Sequence, residues 1–297
     1  MQAKSILLSL SLVLPAMAQN DAELVTNGSF TGTLTPWIMG GGYSCAPGLD
    51  TTYATDGITV SDAFGAGPGG QVTPAPYPPN TIEQTINVVF GTTYELRADV
   101  SSSRASASGT NADAGTIYAQ VNGVEVARIT FGNITITETK RAHLCGRFVA
   151  ATTGPVQLVV FMERRYLCNA GTPRVNIDNV SVQDVTGPTY CIVGNRKIGT
   201  TVTFKVEGEP NAVYATFLAG GMTGGLPIPG FNGLYVLDLG STALFLLGGL
   251  DAGGVSSVPL PIPLDPSLKN SPLFHQAVTV GTSNEFGLGF GCVFTSS

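Results

Sequence analysis

Charge, histidine and tryptophan are scarce in this chain, and each scarcity removes a class of function. Of 297 residues, 14 are lysine or arginine and 20 aspartate or glutamate, a formal net charge of −6. Basic pairs such as Arg164-Arg165 are the most it offers, so the electrostatic footprint of a nucleic-acid binder is missing. With two histidines, His143 and His275, and no HExxH, a catalytic zinc lacks ligands. There is no GxSxG elbow for a serine nucleophile, and no CxxC for a zinc ribbon or a redox pair. The two histidines are read as strand residues with satisfied hydrogen bonds, one in each predicted domain. Paired carboxylates for sugar hydrolysis can be drawn from 20 acids in any chain, so a glycoside hydrolase stays open without being favoured.

Long apolar runs are also missing. Residues 6–14 form one after Lys4, too short for the ~20 residues of a membrane span. Followed by Ala16-Met17-Ala18, that run reads as a secretory signal over residues 1–18, cleaved after Ala18, and implies an extracellular protein. Losing Lys4 takes the formal charge from −6 to −7. Residues 234–250 are the most apolar stretch beyond it, but Asp238, Gly240 and Gly248-Gly249 mark core strands around a turn, leaving no transmembrane segment in the mature chain.

What is plentiful is glycine (38) and proline (19), with Val, Ile, Thr and aromatics in short runs. That mixture predicts an all-β fold. A short strand with a turn is expected over residues 24–30, and strands over 81–89, 93–100, 116–121, 124–131, 140–150, 156–166 and 175–182. Residues 40–80 read as loop, and the GxGxxG formed by Gly65, Gly67 and Gly70 is accidental because Pro68 interrupts it. Asn122-Gly123 marks a hairpin. In residues 94–100 every second side chain is apolar, so Glu95, Arg97 and Asp99 share the opposite face, either a polar binding face or a solvated sheet. In residues 175–182 the alternation breaks phase at Asp178-Asn179, which predicts a bulge.

Five cysteines in an exported chain predict disulfides and one odd thiol. Cys191 and Cys292 flank the second half and are the expected bridge. The pairing among Cys45, Cys145 and Cys168 stays open. Domain boundaries are expected at residues 19–184, a linker at 185–190, and a second β-rich domain at 191–297. There, Pro259, Pro261 and Pro263 confine residues 258–264 to an edge.

The pieces Asn27-Gly28-Ser29-Phe30 with Trp37, Ile82-Glu83-Gln84-Thr85-Ile86, Gly91-Thr92-Thr93-Tyr94, Phe148-Val149-Ala150 and Asn176-Ile177-Asp178-Asn179-Val180 resemble the galactose-binding-like jelly roll of carbohydrate-binding modules. The resemblance covers roughly residues 21–184. It implies two opposed antiparallel sheets, a polysaccharide or cell-surface glycan as partner, and a structural calcium ion where first and last strands meet, with Asp178 matching the late aspartate and, since Thr31 stands at the early acid's position, Glu23 or Asp21 in its place. Trp37, Tyr77, Arg97 and Arg164 are the candidate glycan contacts, the aromatics for stacking on sugar C–H faces and the arginines for hydroxyls. Trp37 has a second reading as a core residue. The C-terminal half resembles a small domain of secreted bacterial proteins without established activity. The expected function is a non-catalytic glycan-binding protein; the alternative is a structural or adhesive surface protein.

Overall fold

A computed structural model describes residues 23–43, 45–69, 79–105, 111–165, 167–168 and 171–295. The leader segment, Asp21 and Tyr77 lie outside these residues. The strands are β1 (Ile38–Gly40), β2 (Cys45–Tyr53), β3 (Ser61–Gly67), β4 (Asn80–Val88), β5 (Thr93–Ser103), β6 (Thr116–Val121), β7 (Val124–Thr130), β8 (Thr139–Val149), β9 (Gly154–Glu163) and β10 (Arg174–Asp184). They are followed by β11 (Thr189–Val193), β12 (Thr201–Glu207), β13 (Val213–Ala219), β14 (Met222–Leu226), β15 (Tyr235–Leu237), β16 (Ala243–Gly249), β17 (Val255–Pro261), β18 (Pro272–Val280), β19 (Asn284–Phe286) and β20 (Phe290–Val293). One 3-10 turn, Pro266–Leu268, is the sole helical element among the described residues.

The first ten strands make two five-stranded antiparallel sheets, ordered β1-β4-β9-β6-β7 and β2-β3-β10-β5-β8. Alternation decides what they bury. Ile82, Ile86, Ile117 and Leu158 from the first sheet share one core with Leu96, Val100, Leu144 and Ile177 from the second. This is a jelly-roll-like sandwich of two antiparallel sheets. Two sequence expectations change here. Of the short strand with a turn expected over residues 24–30, only the turn is present. The glycine- and proline-rich stretch expected as loop contains β2 and β3. Gly65 sits under the Asp50 carboxylate, which Arg174 and Asn176 hold, and a Cβ there would lie 2.1 Å from Asp50 Oδ2.

The remaining strands form a three-stranded sheet β11-β12-β17, a sheet β16-β13-β18-β19 with β20 also on β18, and the ribbon β14-β15. Their core is separate from the first, built around Tyr190, Phe204, Tyr214 and Ala277. The proline-bearing β17 does lie at a sheet edge, as its missing donors require.

The disulfides are Cys45–Cys168 and Cys145–Cys191. The expected Cys191–Cys292 bridge is therefore incorrect. Cys191 lies on β11 beside β8, within reach of Cys145, and Cys292 stays a buried free thiol. The second bridge clamps the C-terminal strands directly to the edge of the jelly roll. Around it, Arg147 Nη1 donates to Glu207 O at 3.2 Å and Arg97 Nη2 to Leu288 O at 3.4 Å.

Candidate functional site: a cleft between the two β units

The outer face of the β10-β5-β8 sheet is polar because strand pairing stacks its hydrophilic positions in rows. Asp178 lies opposite Asp99, and Asp99 opposite His143; Gln183, Glu95 and Arg147 form a second row. The bulge predicted at Asp178-Asn179 is present as a register shift between Asp178 and Ser181. Asn179 takes φ 50°, a left-handed conformation that asparagine tolerates, and thereby turns outward, where its Nδ2 donates to Asp99 Oδ2 at 2.9 Å.

The C-terminal unit packs against this face. The strand pairing with β18 is interrupted between β19 and β20, and the sequence Gly287-Leu288-Gly289 bows toward the jelly roll. Glycine is required at the bow: a Cβ on Gly289 would come within 2.3 Å of Val236 Cγ2. The result is a cleft of about 500 Å³. One wall is polar, presenting Asp56, Arg97, Asp99, Asn179 and Gln183; the other is apolar, presenting Met222, Val236, Phe274, Leu288 and Phe290.

Phe290 brings the two histidines together, His143 lining the cleft and His275 buried behind it, although 132 positions separate them in the chain. Both rings contact Phe290, at centroid distances of 5.0 and 5.3 Å. The network runs Asp99–His143–Arg196 on one side and His275–Cys292 on the other. His143 Nδ1 is 2.7 Å from Asp99 Oδ1, and its Nε2 is 3.0 Å from Arg196 Nη1. A guanidinium only donates, so Nε2 is the acceptor and the imidazole proton sits on Nδ1, facing Asp99. Burial and then the Arg196 charge hold His143 below its usual pKa. Burial would raise Asp99, but His143, Asn179 and Arg196 outweigh it and hold the carboxyl low. The pair is a neutral imidazole against a carboxylate, with both ring nitrogens committed.

His275 Nε2 lies 3.1 Å from Cys292 Sγ, and its Nδ1 has no partner, so the expectation of satisfied hydrogen bonds fails at that atom. Burial, His143 and Arg196 push His275 down to about 3, while burial pushes the Cys292 thiol up. A neutral thiol beside a neutral imidazole, both sealed from water, is not an activated nucleophile.

The remaining expected site residues lie elsewhere. Trp37 is 6% exposed, packed on Phe30 with its Nε1 donating to Asn27 O at 3.0 Å, so it belongs to the core and offers no stacking face. Arg164 is also buried, 1% exposed, with Nη1 donating to Pro173 O at 2.9 Å; burial pushes it down to about 10. It is not a surface contact. Arg97 does reach the cleft, where it pairs with Glu95 and lies 5.0 Å over the Phe290 ring. Glu95, Arg97 and Asp99 therefore form an inter-unit seam rather than a solvated face. Glu95 in particular is sealed, and burial, outweighing Arg97, raises its carboxyl.

Glu23 and Asp178 do not fit a shared calcium site. Glu23 Oε1 accepts from the Val25 and Val182 amides, and its Oε2 from Ser181 Oγ and Gln183 Nε2. Asp178 accepts from Ser61 Oγ at 2.6 Å and from the Asn179 amide at 2.7 Å. The two carboxylates have no partner in common, and the donors around them supply what a cation would. Among the described residues no three acidic, histidine or cysteine side chains gather as a metal site.

Asp56, Asn179, Gln183 and the apolar wall were not singled out from sequence. The phase break at Asp178-Asn179 and the glycine alternation of Gly287-Leu288-Gly289-Phe290-Gly291 are the local signals that point to them.

No known protein family and no curated protein matches the sequence. Among solved structures, the chain is similar to TmCBM61 in complex with β-1,4-galactotriose, at 14% identity over 56% of this chain and 100% of that one, TM-score 0.37. It is similar to the CBM22-1-CBM22-2 tandem of Paenibacillus barcinonensis Xyn10C, at 13% identity over 83% and 87%, TM-score 0.32. A third is a GH2 β-galacturonidase from Eisenbergiella tayi bound to glycerol, at 8% identity over 87% of this chain, TM-score 0.31; this chain spans 43% of that enzyme. The jelly-roll assignment rests on the strand order and the shared core, not on these matches.

Proposed function

We propose that this is an exported, non-catalytic binding protein that holds a sugar residue in the cleft between its two β units. The observation that carries this is the pairing of two unlike walls. A pyranose presents C–H faces and equatorial hydroxyls, and an apolar wall facing a row of amides and carboxylates matches both at once. Asn179 Oδ1 and the unused oxygens of Asp56 and Gln183 are the hydroxyl partners; Phe274 and Phe290 back the apolar side. Export is supported by the leader pattern and by the two disulfides.

The acid–base groups support binding rather than turnover. Both nitrogens of His143 are engaged, Cys292 and His275 are sealed, and Asp178 is 1% exposed beneath the bulge. A glycosidase needs one carboxyl free to give a proton and a second free to attack or activate water. Asp99 is tied to His143 and Asn179, and Asp178 to Ser61, which leaves Asp56, among the described residues, as the one carboxyl lining the cleft with a free oxygen.

Titration calorimetry against a panel of oligosaccharides tests the reading. Asn179→Ala and Gln183→Ala are each expected to weaken binding about 2- to 10-fold, the worth of one hydrogen bond. Val236→Glu, which puts a charge on the apolar wall, is expected to abolish it. Absence of binding to every glycan would leave the adhesive reading. That reading has its own support in the uncharged tip formed by Val89, Phe90, Val124 and Val149, all exposed. Turnover of chromogenic glycosides by the pure protein would overturn the non-catalytic assignment.

A further inference from the structure

We infer that the cleft selects uncharged sugars and rejects uronic acids and sulfated residues, an inference that rests on the glycan-binding reading. The reason is the state of its cations. Arg97 is the one arginine or lysine lining the cleft among the described residues. Its guanidinium is used on three sides: by the Glu95 carboxylate, by the Leu288 carbonyl at 3.4 Å, and by the Phe290 ring beneath it. The next cation inward, Arg196, is fully buried behind His143 and donates to its Nε2. Arg141 turns away and donates to Ala54 O at 3.3 Å.

The anions are less completely matched. Asp56 spends Oδ1 on the Ile58 and Thr59 amides and keeps Oδ2 free, and Asp99 keeps its charge against a neutral imidazole. A ligand carboxylate or sulfate entering this space would leave water, meet only an arginine already paired with Glu95 and stacked on Phe290, and lie near the Asp56 and Asp99 carboxylates. Taking a charge out of water without a partner is among the costliest events in recognition. A hydroxyl carries no such penalty, and the free oxygens of Asp56, Asn179 and Gln183 are acceptors suited to it. The arrangement excludes one ligand class by leaving its charge unpaired.

The test compares one sugar with its charge on and off. Oligogalacturonides and their fully methyl-esterified forms share ring and linkage and differ in the carboxylate; a neutral galacto-oligosaccharide completes the set. Calorimetry at pH 7 with the full chain is expected to show the ester and the neutral sugar binding at least tenfold more tightly than the free acid. Leu288→Lys, which places an unmatched cation on the rim, is expected to bring the free acid within about threefold of the ester. Free acid binding as tightly as the ester, or more tightly, overturns the inference while leaving glycan binding intact. Failure of all three sugars and of the wider panel removes the glycan reading and the inference with it.

Discussion

Replacing Asp178 by asparagine should make the protein more stable at neutral pH. The carboxyl lies beneath the bulge, 1% exposed, and its pKa is raised from 3.8 to about 6. Burial is the main cause; the hydrogen bonds from Ser61 Oγ and the Asn179 amide oppose it, and the charges of Asp99 and Asp56 add to it. A folded-state pKa above the unfolded one means that the native protein holds more protons between those two values. Stability therefore falls as pH rises through roughly 4 to 6 and is level above, where the folded protein carries a disfavoured carboxylate. At ~1.36 kcal/mol for each tenfold change in proton affinity, that rise corresponds to about 3 kcal/mol. Water reaching the adjoining cleft screens part of this, so about 1–2 kcal/mol is the working figure. The Asp178→Asn variant keeps a side-chain oxygen in place, and that Oδ1 can still accept from the Asn179 amide. Urea melts of both proteins from about pH 3.5 to 8 isolate the effect, because the other titrating groups cancel in the difference. The variant should match the wild type near pH 4 and exceed it by about 1–2 kcal/mol at about pH 7.5. A difference that does not vary with pH, or a variant less stable than the wild type at neutral pH, would refute the reasoning.

Removing the inter-unit bridge with Cys145→Ser and Cys191→Ser should cost up to about 4 kcal/mol, the chain-entropy value for its 46-residue separation; chemical denaturation measures it. Thiol titration without reductant should find no reactive group in the native protein and one per chain after unfolding, because Cys292 is sealed. Trp37 emission should be blue-shifted and unchanged by any saturating glycan, and Trp37→Ala should lose about 3–5 kcal/mol as a core truncation. Excess chelator should leave the melting temperature unchanged, since the oxygens of Glu23 and Asp178 are occupied by amide, hydroxyl and side-chain amide donors.

The sheet content, most jelly-roll strands and the bulge at Asp178-Asn179 were legible from the chain because they are local. Alternation with period two fixes which side chains a strand buries, and one extra residue breaks that alternation visibly. β2 and β3 were hidden because glycine and proline read as loop; Gly65 is there to make room for the Asp50 carboxylate, a requirement set by another strand's side chain. Arg164 shows the same limit in reverse: its type suits a binding surface, and only the surrounding core shows that it is enclosed, whereas the core reading of Trp37 was already open from its size and place.

The chain's own pattern determined that this is an all-β protein, and its short motifs pointed to a jelly roll. Tertiary structure alone decided the disulfide partner of Cys191, the meeting of His143 with His275, and the existence of the cleft. Each of these depends on which strand edge the C-terminal unit docks against. That docking is set by contacts between positions far apart in the chain, on which no local periodicity bears.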